Sequence, residues 1–459
     1  MIGPRGPHIR VRSREWINSL HKDKYDLEVT CSGDAAMQAY MSGIECSLRF
    51  DRSGIEELTE AVAQDEEFAL AHAALGRQLF THGSGNESAA HFKIALSLKG
   101  RVSQREQDAI TVIEAAARAD PQAIAMAQSH VAAWPQDIFV LAHLLGPFGL
   151  LAFSGTQDWC AQNVALLKAT ESAYPSDDWW RLTSRGFFGA EQGQLEQARK
   201  DCERAWSISE NGNCAHSLAH LHFEEGALDE GRAFIKEWVA KYGSQSDMRH
   251  HLIWHLSFLD LEGGVAASRI FEFYDRELDP RVNDPTPLET LCDNASFLWR
   301  CHLSGEEIPT TVREEMLQYA EANFGTCGFA FADTHRAMAA ALHPDNGKLK
   351  DLVQQLREVS EKSGTSVSGC VQYFAKAFGA FANGAYDDAV AVLEPVLADS
   401  VLIGGSNPQR RIVEDTYLEA CMRTGRYAQA RAIVEGRNRK SSVFDMKLLD
   451  RISEVNDEH

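Results

Sequence analysis

The chain has 459 residues, 44% of them apolar and 24% charged, which is too long for one compact core of ordinary size and too apolar for a disordered chain. Its 45 basic and 66 acidic residues leave a net charge of −21, which argues against a nucleic-acid backbone or an anionic membrane as the main partner. Ten scattered cysteines without a C-x-x-C pair exclude a zinc ribbon or thioredoxin motif and read as reduced thiols of a cytoplasmic protein.

The basic opening MIGPRGPHIRVRSREW has no apolar run behind it, so it is not a secretory signal, and residues 1–33 read as a polar leader. No stretch reaches the ~20 apolar residues that a membrane span requires. From Asp34 to Phe50 the spacing is helical, with Met37, Tyr40, Met41 and Ile44 on one side, and Glu56 to Ala63 continues as a second helix. EEFALAHAALGRQLFTHGSGNESAAHFKIALSL then predicts a helix, a turn and an antiparallel helix. A signature of glycine, a bulky residue two positions on and a small residue three further marks the later turns. It occurs at Gly193/Leu195/Ala198, Gly226/Leu228/Gly231, Gly263/Val265/Ser268, Gly384/Tyr386/Ala389 and Gly425/Tyr427/Ala430. The first three lie 33 and 37 residues apart, near the about 34 of a tetratricopeptide unit. Each glycine is expected to end a helix at positive φ, and each small residue to let the next helix pack closely.

These spacings predict an all-α fold, a superhelix or α-solenoid of tetratricopeptide-like helical hairpins running continuously over 34–437. DPRVNDPTP at 279–287 is a possible sub-boundary, and no β pattern is found. Residues 438–459 read as a tail that frays.

AHSLAHLHFEEG (215–226), HLIWHLSFLDLEGG (251–264), the FYD at Phe273 to Asp275, DNASFLWRCHLSG (293–305), FADTHRAMAAAL (331–342) and IGGSNPQRR (403–411) follow one another in order. Taken together they resemble the tetratricopeptide repeat protein 38 family of bacterial and animal helical-repeat proteins. The resemblance implies a superhelix of helical hairpins and brings no reaction with it. The chain departs from the family at Leu252, where Asn is usual, at Asp260 and Asn407, where His is frequent, and at Arg411, where Asp is frequent.

Two histidine pairs, His216 with His220 and His251 with His255, are each four residues apart, so each pair shares one helical face. They fall on helices expected to line the concave side, where repeat proteins bind ligands. Arg185, Asp293, Arg300, Asp333 and His335 fall on neighbouring inward helices. The candidate catalytic set is His216, His220, His251, His255, Asp333 and His335. Arg185, Asp293, Trp254, Trp299, Arg300, Ser406, Gln409 and Arg410 are the candidate substrate contacts.

Three readings stand side by side. The four histidines with a carboxylate can hold a transition metal, although the glutamate of an H-E-x-x-H motif is absent. A histidine oriented by Asp333 or Asp293, with Arg185 or Arg300 holding an anion, can run metal-free acid–base chemistry. Histidines with Trp180, Trp254 and Trp299 can bind a peptide or small molecule without turnover. Against all three stands packing: a histidine can satisfy a backbone carbonyl, tryptophans at helical spacing are more often core, and His222, His250 and His302 sit off the shared faces. Gly404-Gly405-Ser406 reads first as a helix-starting turn capped by Ser406 and second as an anion contact with Arg410, and it matches no nucleotide-cofactor motif. The leading expectation is a hydrolase- or lyase-type pocket for a small polar or anionic molecule, in a protein able to homodimerise. The alternative is a non-catalytic scaffold for peptides or partner proteins.

Overall fold

The structure, a computed structural model, describes residues 19–279, 285–363, 366–437 and 443–457. Helices follow one another as hairpins. They are α1 (Asp34–Arg49) with α2 (Gly54–Gln64), α3 (Ala69–Thr81) with α4 (Gly85–Leu98), and α5 (Gln104–Ala117) with α6 (Ala123–Ala133). Then come α7 (Ile138–Leu144), α8 (Trp159–Ala169), α9 (Trp179–Glu191) with α10 (Leu195–Ile208), α11 (Gly212–Glu225) with α12 (Leu228–Tyr242), and α13 (Arg249–Glu262) with α14 (Ala267–Phe273). The second half holds α15 (Pro287–Leu303) with α16 (Thr310–Phe324), α17 (Ala330–Leu342) with α18 (Asn346–Ser363), and α19 (Ser366–Ala382) with α20 (Tyr386–Leu393). It closes with α21 (Asn407–Arg423), α22 (Tyr427–Gly436) and α23 (Val443–Asp457).

The two members of a hairpin differ in burial for a sequence reason. In α10 only Ala198, Asp201, Cys202 and Ala205 are buried, a single stripe at helical spacing, so this helix lies outside. In α17 every residue from Phe331 to Leu342 is buried, and α11, α13 and α15 are almost as enclosed. Helices buried all round are the interior of the solenoid. The chain is an all-α solenoid of helical repeats.

Of the signature glycines, Gly193, Gly226, Gly384 and Gly425 take φ between 67° and 76°. The third repeat differs. Gly263 stays right-handed at φ −75°, the positive φ of 80° falls on Gly264, and Ser268 is exposed while Ala267 is buried. The Gly-Gly pair gives the chain two residues able to end the helix, and the second does so.

Three expectations need correction or placing. The absence of strands does not hold: Ser19–Lys22 (β1) and Glu28–Cys31 (β2) form an antiparallel hairpin. It is only two four-residue strands, too short for a period-2 pattern to register, and it is held by tertiary contacts. The Thr30 amide and hydroxyl both donate to Glu106 at 2.8 Å, and Arg105 donates to the Glu28 carbonyl at 2.7 Å. Within the expected fraying tail, Val443–Asp457 is a helix with Leu448 and Ile452 buried and Asp445 joined to Arg437. The core of the DPRVNDPTP segment, 280–284, lies outside the described residues.

The superhelix curls until distant turns meet. The Asp247 amide donates to the Phe50 carbonyl at 2.9 Å, Asn213 donates to the Leu48 carbonyl at 2.9 Å, and Asp51 bridges to Ser246 as a strand would. From the other end the Asn407 amide donates to Glu191 at 2.8 Å. Gly404 and Gly405, at φ 83° and 79°, are required there, because a Cβ on either would lie within 2.5 Å of the Ala152 carbonyl oxygen or the Phe331 ring. Among the described residues no helix is long and apolar enough to cross a membrane.

Candidate metal centre

The i,i+4 pairs on α11 and α13 meet at the middle of this closed interior. One ring nitrogen from each of His216, His220, His251 and His255 lies within 4.8 Å of all the others, and the four residues are 2% exposed or less. Their rings contact one another directly, with centroids 4.6 Å apart for His216/His220 and His220/His255, and 4.7 Å for His251/His255. Phe187 on α9 stacks on His216, and Trp254 stacks on His251 with 12° between the planes. The segment between α7 and α8 brings the half-buried Phe148 against His216 and His251.

Two carboxylates address the outer sides of the imidazoles. Nδ1–H of His251 donates to Asp293 at 2.9 Å, and its Nε2 is buried with no hydrogen-bond partner. Nδ1 of His220 lies 3.4 Å from Glu191, and its Nε2 is 3.0 Å from Nε2 of His216. Both ring nitrogens of His255 are buried without a partner. An unpaired buried nitrogen costs about 1–3 kcal/mol, so this cluster is unusual as mere packing. Tetrahedral coordination at about 2.0–2.1 Å places ligand nitrogens about 3.4 Å apart. The observed 3.0 Å pair and the 4.8 Å limit bracket that value.

The electrostatics keep most of these rings neutral. Burial, reinforced by the neighbouring imidazoles, holds His216 and His255 well below the ordinary histidine range. Burial also lowers His220, against the opposing pull of Glu191. For His251 burial works downward too, but Asp293 outweighs it and the pKa is raised. Neutral imidazoles with a carboxylate fixing the tautomer are what a metal ligand set requires.

The other predicted residues divide. Asp293, Ser296 and Arg300 form one stripe of α15 facing α13. Arg300 donates to Ser296 and to the Pro408 carbonyl at 2.7 Å and lies over the Trp254 and Phe258 rings. Trp254 donates to Ser296 at 3.2 Å. His335 is buried beneath α15, its Nδ1–H donating to the Phe331 carbonyl at 2.7 Å and its Nε2 unpartnered. Trp299 packs on Phe378 and donates to Thr416 at 2.8 Å, in the core rather than beside the histidines. Ser406 and Gln409 form a reciprocal capping box at the start of α21. Arg410 turns inward to Asn407 at 2.6 Å and Glu191 at 3.5 Å.

Arg185 and Asp333 also stand apart from the cluster. Arg185 reaches Asp201 and Glu171 on the outer side of α9. The inward face of α9 is Ser184, Phe187 and Glu191, and a residue two before Phe187 points about 200° away from it. Asp333 pairs with Arg336 at 2.9 Å and accepts from the Gly328 amide at 2.8 Å. Standing two residues from His335, it occupies the opposite side of α17. A cavity of about 250 Å³ lies on that side, between α16, α17 and α18, with Arg336, Lys348 and Asp351 on its wall.

Residues the sequence reading missed include Glu191, Asn407 and Phe148. Glu191 stands four residues after Phe187, and that i,i+4 relation was the available signal. Nothing local announces the other two.

No protein-family model matches the chain. Among solved structures, the tetratricopeptide domain of P58(IPK) is 15% identical over 85% of this chain and 89% of that chain, with a TM-score of 0.20. The complex of Naa15/Naa10 bound to HypK-THB is 11% identical over 90% of this chain and 64% of that chain, with a TM-score of 0.23. Likeness at this level carries no function across. The helical-repeat class rests on the hairpins described above.

Proposed function

We propose that the protein is a helical-repeat scaffold whose centre is pinned by one transition metal ion held by His216, His220, His251 and His255. The observation that carries this is the sealed meeting of four imidazoles, mostly neutral, with ring nitrogens left unpartnered on His251 and His255. Four nitrogen donors favour zinc or a neighbouring borderline ion over magnesium or calcium. Four protein ligands with so little exposure fit a structural centre, whereas a catalytic one keeps a position open. With the centre serving structure, the role of the chain is to bind a peptide or partner protein, rather than to hydrolyse a small molecule. Placement in the tetratricopeptide repeat protein 38 family belongs to this reading and is supported by the ordered motifs.

Elemental analysis of the purified, untagged protein tests it. About one equivalent of ion in the parent and none in a folded His216→Ala/His251→Ala variant is the expected result, and a parent free of metal after growth and refolding with zinc overturns it. Asp293→Asn keeps the shape but weakens the acceptor that fixes the His251 tautomer. Ion affinity is expected to fall by about 10–100-fold in that variant, read by competition with a chromogenic chelator.

A further inference from the structure

The first turn of α21 stands where inner helices end. Glu191 closes α9, Glu224 lies in the last turn of α11 and Glu262 closes α13, so three carboxylates gather at helix ends that already carry partial negative charge. The start of α21 offers them the opposite charge. The Asn407 amide donates to the Glu191 carboxylate at 2.8 Å, and its side chain donates to the Glu191 carbonyl and to Glu224, both at 3.0 Å. Arg411 joins Glu262, and the Pro408 carbonyl accepts from Arg300 of α15 at 2.7 Å.

Two of these clasped helices are the pair that carries the imidazoles. His220 lies four residues before Glu224 on α11, and His255 lies seven before Glu262 on α13, about 6 Å and 10 Å along the helix axes. Glu191 belongs to both assemblies. Its side chain is 1% exposed, accepts from the Asn407 amide and stands 3.4 Å from Nδ1 of His220. Thus α11 and α13 are spanned twice: by the four ring nitrogens within 4.8 Å of one another, and one to two turns on by Asn407 and Arg411. An ion fixes neighbouring ligand nitrogens at about 3.4 Å. Without one, the ring nitrogens of His251 and His255 that find no partner favour the entry of water, which spreads the two helices. The hydrogen bonds at the helix ends tolerate little spreading.

We propose that the ion regulates closure of the superhelix: its binding at the four histidines and the docking of α21 are one coupled equilibrium, with Glu191 and Asn407 as the positioning residues between them. This rests on the metal reading of the histidines. Linkage makes the coupling reciprocal, so docked α21 tightens the ion by the same factor as the ion tightens docking. None of the four ligands is on α21, which acts on the site only through the helices it clasps.

The full chain, Asn407→Ala and Ser88→Ala are titrated with zinc in competition with a chromogenic chelator. Asn407→Ala removes two bonds of α21 and no contact to an imidazole, whereas Ser88→Ala removes a buried bond between α4 and α3 and controls for lost stability. Zinc affinity is expected to fall about tenfold in Asn407→Ala and to keep the parent value in Ser88→Ala. In the parent, adding zinc after chelator treatment is expected to slow amide deuterium exchange along 412–421 by about the same factor. An unchanged affinity in folded Asn407→Ala, an equal loss in Ser88→Ala, or exchange indifferent to zinc in a parent that binds it overturns the coupling and leaves the metal reading standing. A parent that binds no zinc overturns both. Should Asn407→Ala fail to fold, exchange in the parent decides.

Discussion

Acidification from about pH 7.5 to about pH 5 is expected to destabilise the fold by about 4 kcal/mol through two side chains alone. His250 and His335 are 0% and 1% exposed, and each is held down to about 4 from an ordinary 6.5, in both cases chiefly by burial. Between those values the folded state binds fewer protons than the unfolded chain, so stability falls as the pH falls through the window. Each pH unit below 6.5 costs about 1.4 kcal/mol per group, hence about 2 kcal/mol each at pH 5. His216, His220 and His255 act in the same direction. His251 acts oppositely: raised by Asp293 against burial, its contribution is complete below about 6.5 and is lost as the pH climbs through its folded value. Domains are stable by only about 5–15 kcal/mol, so the effect is a large fraction of the whole. Urea unfolding at the two pH values measures it. Equal free energies at both would show that these histidines are solvated, and His335→Phe should remove its share of the slope.

Arg411→Ala is expected to cost about 3–5 kcal/mol. Arg411 joins Glu262 of α13, and its Nε donates to Asp415 at 3.1 Å. Asp415 in turn accepts from Arg437 at 2.9 Å, and Arg437 reaches Asp445 on α23. Burial opposes the charge on Arg411, but Asp415 and Glu262 hold it firmly. Removing the guanidinium takes from Glu262, itself 3% exposed, the charge of Arg411 that faces it. Arg411→Met combined with Glu262→Gln removes both charges and is expected to lie much closer to the parent, since burying two neutral side chains needs no partner. A loss below about 1 kcal/mol in the single variant would mean that water enters the network.

The hairpins were legible because their evidence is local: helical spacing, glycines at turns and small residues at crossings. The four histidines were legible for the same reason, since i,i+4 pairs before matching turns must end on matching faces of α11 and α13. Asp333 and Arg185 were assigned to the interior by membership of an inward helix, without regard to angle. The helical wheel already separates Asp333 from His335 and Arg185 from Phe187. Glu191, Asn407 and Phe148 reach the cluster through contacts between distant turns of the superhelix. No window of neighbouring residues contains that information, and even the family resemblance marks Asn407 only as a departure. Arg411, another departure, is explained by Glu262 and Asp415, two carboxylates whose pairing depends on how α13 and α21 cross.

The bond between Asn407 and Glu191 spans 216 residues, and the one between Ser246 and Phe50 spans 196. An ordinary solenoid is stabilised by adjacent repeats, so each unit can settle as soon as its neighbour exists. Here the wall behind Glu191 is missing until Asn407 has been made. At about 5–20 residues per second that delay is roughly 10–40 s on the ribosome. Through that interval the half-built coil stays open on one side, and only the arrival of α21 shuts it. Once α21 has docked, turns far apart in the chain lean on one another, so the chain is expected to melt as one cooperative body rather than repeat by repeat.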